Sequence, residues 1–146
     1  MTFKTGIAIT ACALSAVLLT SSASFAESMS VKADLQATSE VPPTTSKGSG
    51  ALTGTYDTST KVLTWSVTYS GLTGAATAAH FHAPAPMGKN AGVEIPLKGE
   101  LASPIKGNAT LTDEQAKNLT EGMTYFNVHT AANKGGEIRG QLAVSK

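Results

Sequence analysis

From Met29 the chain alternates: Val31, Ala33, Leu35 and Ala37 fall on one side, and Lys32, Asp34, Gln36 and Thr38 on the other. A period of two is the mark of a half-buried β-strand. Glu40-Val41-Pro42-Pro43 ends it, because proline has no N–H for a ladder and restricts the residue before it. After a polar loop, Ala51 to Tyr56 pairs with Lys61 to Tyr69 across the turn Asp57-Thr58-Ser59-Thr60. Leu63, Trp65, Val67 and Tyr69 share one face of the second arm, and Trp65, the only tryptophan, is the expected core anchor.

Gly71-Leu72-Thr73-Gly74 turns the chain into a strand from Thr77 to His82. The loop Ala83 to Asn90 leads to a short strand, Gly92 to Leu97, whose proline marks it as an edge. A further strand is expected from Pro104 or Ile105 to Leu111. Thr112-Asp113-Glu114-Gln115 is a capping box, so a helix of about two turns follows, with Ala116 and Leu119 inward and Gly122 closing it. The last strands are Met123 to Thr130 and Gly136 to Val144. In the first, Tyr125, Asn127 and His129 point away from Phe126 and Val128. In the second, Ile138, Gly140, Leu142 and Val144 oppose Glu137, Arg139 and Gln141. About seven or eight short strands with one short helix predict an all-β fold, an antiparallel Greek-key-like β-sandwich or barrel.

The first 26 residues follow a different rule. Lys4 supplies a positive start, Gly6 to Leu19 is apolar, and Ser24-Phe25-Ala26 offers small residues where a signal peptidase reads. Cleavage after Ala26 is expected, leaving residues 27–146 as a single periplasmic or secreted domain with no membrane segment. Cys12, the only cysteine, departs with the signal peptide, so disulfides and thiolate metal sites are excluded from the mature domain. A domain this size buries roughly two-thirds of its unfolded-chain surface and must rely on that core. Ten basic residues remain against ten acidic ones, with no basic run, which argues against nucleic acid and anionic membrane as partners.

Several short pieces resemble the CHRD family: Glu40-Val41-Pro42-Pro43, Gly71-Leu72, Ala79-His80-Phe81-His82, Thr110-Leu111-Thr112, Asn127-Val128-His129-Thr130 and Gly136-Glu137-Ile138-Arg139-Gly140-Gln141-Leu142. They follow one another across nearly the whole mature chain. The resemblance implies a sandwich-like domain working outside the cytoplasm, as a binding module. It implies no enzymatic activity for particular residues.

All three histidines lie in strand segments. His80 and His82 are two apart and project from one face, with Cβ atoms about 6.5–7 Å apart, and His129 on another strand could complete a three-nitrogen site. Neutral imidazoles suit copper or zinc. Asn127 or Glu137 could orient a ring, and Met87 could serve as a soft ligand for reduced copper. In the competing reading His80 and His82 brace the Ala-Pro-Ala-Pro loop, His129 is an unrelated exposed residue, and the domain is a protein-interaction module. His80-Phe81-His82 also resembles the histidine-x-histidine strand of copper–zinc superoxide dismutase. That two-metal site needs six histidines and three are present, leaving at most a mononuclear redox site. Glu40, Glu137 and Arg139 read as structural, Glu40 by binding the backbone of the histidine loop. Serines and threonines show no histidine–acid partner, so nucleophilic catalysis has no support in the sequence.

Overall fold

The computed structural model describes residues 27–146 and the isolated Thr2; the expected signal peptide otherwise lies outside the described residues. Among the described residues nine strands form: β1 (Ser28–Gln36), β2 (Ser49–Asp57), β3 (Val62–Ser70), β4 (Ala76–His82), β5 (Val93–Pro96), β6 (Ile105–Thr110), β7 (Tyr125–Thr130), β8 (Ile138–Gln141) and β9 (Ala143–Ser145). One helix, α1 (Asp113–Thr120), carries the predicted capping box: Thr112 Oγ1 accepts from the Gln115 N–H while Gln115 Oε1 accepts from the Thr112 N–H. Among the described residues no helix is long and apolar enough to cross a membrane.

The strands make one antiparallel sheet in the order β5-β4-β7-β8-β1-β2-β3-β6, with β9 also on β1. The expected final strand is divided. β8 pairs with β7, Leu142 donates its N–H to Thr124 at 2.9 Å, and β9 then pairs with β1. The first strand also stops sooner than the alternation predicts. Ala37–Ser39 form a single 3-10 turn, which carries Glu40 beneath the sheet's loops instead of along its edge.

Four strands separate β4 from β3, so in a flat sheet they would be about 24 Å apart. Yet the Phe81 and Trp65 rings meet edge to face with centroids 4.9 Å apart. The sheet therefore curls round on itself as a half-barrel. Val31, Leu35, Leu52, Leu63, Val67, Phe81, Phe126, Val128 and Ile138 fill its interior.

The outer face of β7 and β8 is largely buried as well, while on β4 His82 is buried and His80 half-buried. Every residue of β7 is buried, including the polar set Tyr125, Asn127 and His129. Two loops roof this face. Residues 40–48 are tied down by Thr44 Oγ1, which donates to the Glu137 carbonyl at 2.9 Å, and by Ser46 Oγ, which donates to Glu137 Oε1 at 2.6 Å. Residues 83–92 are held by Arg139, whose Nη1 donates to Asn90 Oδ1 at 3.0 Å and whose Nη2 donates to the Lys89 carbonyl at 2.6 Å. The polar side chains of β7 and their neighbours on β4 and β8 are thereby gathered into a second layer, with His80 and Gln141 left half-buried.

Candidate metal centre

Antiparallel pairing of β4 with β7 sets His80 opposite Asn127, His82 opposite Tyr125 and Ala78 opposite His129. His80 and His82 lean from one face of β4, and His129 reaches His80 diagonally across the ladder. His80 Nδ1 and His129 Nε2 are 3.1 Å apart, and one nitrogen from each of the three rings lies within 4.8 Å of the others. His129 is 9 % exposed and His82 7 %, so the reading of His129 as an unrelated exposed residue fails: it is buried against His80.

The hydrogen bonds define which nitrogens are free. His129 Nδ1 meets the Lys134 carbonyl at 2.9 Å, and His82 Nδ1 meets the Ala91 carbonyl at 3.0 Å. A carbonyl only accepts, so each Nδ1 carries the hydrogen in that contact. A neutral His129 ring then keeps its lone pair on Nε2, whereas His82 also has an acceptor at Nε2, Asn127 Oδ1, and as a neutral ring can donate to only one of the two. Metal-binding histidines are oriented in this way, with the second nitrogen donating to a fixed acceptor. His80 Nδ1–H then donates to His129 Nε2. Moving that hydrogen to His80 Nε2 leaves two lone pairs facing each other at 3.1 Å, an arrangement that a cation would stabilise. Two nitrogens about 2.0–2.1 Å from a tetrahedral ion are about 3.3 Å apart, so this pair is already at coordination spacing. The His82 nitrogen has at most about 1.5 Å to move. Burial, followed by the neighbouring imidazoles, pulls His80 below the ordinary histidine range, and burial pulls His82 down too, which favours neutral rings.

His82 is the most constrained ring. It stacks on Tyr125 at a centroid distance of 4.7 Å with 2° between the planes, and the Arg139 guanidinium covers the Tyr125 ring, 3.4 Å from its centroid. His82 Nε2 lies 3.0 Å from Asn127 Oδ1, a contact that is a hydrogen bond only when Nε2 carries a hydrogen. Glu137 takes another role. Its oxygens accept from Ser46, Thr130, Asn133 and both the N–H and hydroxyl of Thr73, at 2.5–3.0 Å, rather than from a histidine. Burial would raise its pKa, but the Ser46, Thr130 and Thr73 hydrogen bonds outweigh it and hold it at about 2. The loop that Glu137 fixes includes Lys134, whose carbonyl orients His129, so its influence on the histidines is indirect. Met87 is 80 % exposed on the roof loop.

Glu40 does not bind the backbone of the histidine loop; Asn90 Nδ2 reaches the Val41 carbonyl instead, at 2.9 Å. The Glu40 side chain is buried against Asn127, with Oε1 lacking any hydrogen bond of normal geometry. An acidic residue before two prolines signals a strand end, and nothing in that pattern reveals that the 3-10 turn will bury it.

Comparison with curated proteins and with solved structures gives no match. The family model for the CHRD domain matches residues 31–142, a span that holds all three histidines and both roof loops. The chain belongs to the CHRD domain family.

Proposed function

We propose that the domain is an exported binding protein that holds one copper or zinc ion through His80, His82 and His129. The observation that supports it best is the 3.1 Å approach of His80 Nδ1 to His129 Nε2, with His82 joining them within 4.8 Å. Two of the rings already donate their other N–H to backbone carbonyls, as ligand histidines do. Three neutral nitrogens leave a fourth position for water or another small ligand, the pattern of an open site. The residue pattern of positions 1–26 supports delivery to the periplasm or the exterior.

A protein-interaction role without metal is the second reading. In its favour are Met87 and Val93, 80 % and 51 % exposed, on the roof loop and on the edge strand after it. Two side chains are a small area beside the few hundred Å² of a usual docking patch.

Calorimetric titration of the mature domain with Zn(II), Cu(II) and Cu(I) tests the assignment. One ion per chain is expected, with affinity falling at least a hundredfold when all three histidines become alanine. Unchanged affinity in that variant would remove the histidines from the site. Superoxide or peroxide turnover by the loaded domain above that of free metal would extend the role to redox chemistry.

A further inference from the structure

We propose that Glu40 is the counter-charge of the three-histidine centre, protonated while the centre is free and ionised when it holds a divalent cation. The inference rests on the metal-centre reading and adds a regulatory residue to it.

Glu40 is only 4 % exposed, and its Oε1 is a buried acceptor without a hydrogen-bond partner. The carboxyl lines a cleft of about 260 Å³ that opens to solvent between Val41, Pro42 and Thr44 on one side and Asn133 to Gly136 on the other. On its inner side Glu40 lies against Asn127. A Cβ on Gly136 would overlap both Glu40 Oε1 and Asn127 Nδ2, so the two polar groups share the space that a side chain would fill. Asn127 Oδ1 in turn faces His82 Nε2 at 3.0 Å. Cleft, carboxyl, amide and imidazole thus form one row from solvent to the centre, with Asn127 linking Glu40 to His82.

The charges point the same way. Three neutral imidazoles bring no negative charge to a dication. Of the charged groups around Glu40, Arg139 on β8 acts on it directly and Lys134 lines the same cleft; both are cations. Glu137 is the other buried acid in this layer, but both its oxygens are already taken by hydrogen bonds. Glu40 is left as the buried acid able to change its charge. Its burial, only partly offset by Asn127 and Arg139, lifts its pKa to about 7, so little extra field is needed to ionise it near neutrality. When His82 Nε2 turns to the ion, it gives up Asn127. Asn127 Nδ2, already beside the Glu40 carboxyl, then donates to a carboxylate, while the proton from Glu40 leaves to water in the cleft. One proton departs as the dication arrives, and by linkage acidification weakens binding.

The test is zinc calorimetry at pH 6.5 in buffers of different ionisation enthalpy, which counts the protons released. Wild-type protein should release about three-quarters of a proton more than Glu40→Gln, the fraction of Glu40 still protonated at that pH. Equal release with zinc still bound overturns the role of Glu40 and leaves the metal centre standing. Absence of zinc binding by the wild type overturns both. Should the variant fail to fold, an infrared difference spectrum of the wild type decides. Added zinc should abolish a protonated-carboxyl C=O band that shifts with glutamate isotope labelling, and persistence of that band overturns the proposal.

Discussion

Glu137 and Glu40 are both buried acids whose surroundings push them in opposite directions. Ser46, Thr73, Thr130 and Asn133 point hydrogens at Glu137 and hold it at about 2 against its burial. Its folded pKa is depressed, so its contribution is present above the ordinary value of 4.5 and is lost as pH falls through about 2. Glu137→Gln should therefore cost about 2–3 kcal/mol in urea unfolding at neutral pH, with the deficit shrinking between pH 4.5 and 2. A deficit independent of pH in that window would show that the charge is not what the donors hold. Glu40 is raised from 4.5 to about 7, so its contribution is present below 4.5 and is lost as pH climbs through 7. Without metal, Glu40→Gln should gain about 2–3 kcal/mol relative to wild type between pH 4.5 and pH 8, measured as the change in unfolding free-energy difference. A flat difference would mean that Glu40 ionises without hindrance.

At the scale of elements, β7 carries most of the site: Tyr125, Asn127 and His129 on its outer side, Phe126 and Val128 on the inner. The alternation made these two sets legible, as turn residues did the β2–β3 hairpin, the Thr112–Gln115 spacing the capping box, and Pro96 the edge position of β5. It could not show that both faces are covered. An outer row of polar residues normally means solvent, and only the tertiary fold lays residues 40–48 and 83–92 over it. The division of the last strand at Leu142 and the inward turn of Glu40 are hidden for the same reason, since each depends on partners distant in sequence. Gly136 shows how tightly the roof is built. It sits at φ +122°, where L side chains are strained, and a Cβ there would strike Glu40 and Asn127. Gly136→Ala should lower the melting temperature by several degrees and weaken zinc binding by displacing Asn127; unchanged stability and affinity would show that the roof has room to yield. Thr112→Ala, at the other end of the sheet, should cost about 1 kcal/mol through loss of the helix cap and leave metal affinity as it was. A change in affinity there would show that the helix, which touches β5 through Asn118 and Glu94, helps to hold the site.

In the whole molecule, curling of the sheet creates two compartments. The interior joins Trp65 to Phe81 and supplies the apolar core, while the outer face of β4, β7 and β8 holds the polar layer under its loops. The histidines sit in that second compartment at nearly coordination spacing. Their types and strand positions were legible in the sequence; the 3.1 Å approach depends on the β4–β7 register, which brings His129 diagonally onto His80. The central claim is that these three rings hold one ion. It is tested most directly by electron paramagnetic resonance of the domain loaded with one equivalent of Cu(II), which counts the coordinated nitrogens. Coupling to three imidazole nitrogens is predicted, falling to two in His129→Ala. An identical spectrum from wild type and the triple-alanine variant would contradict the account.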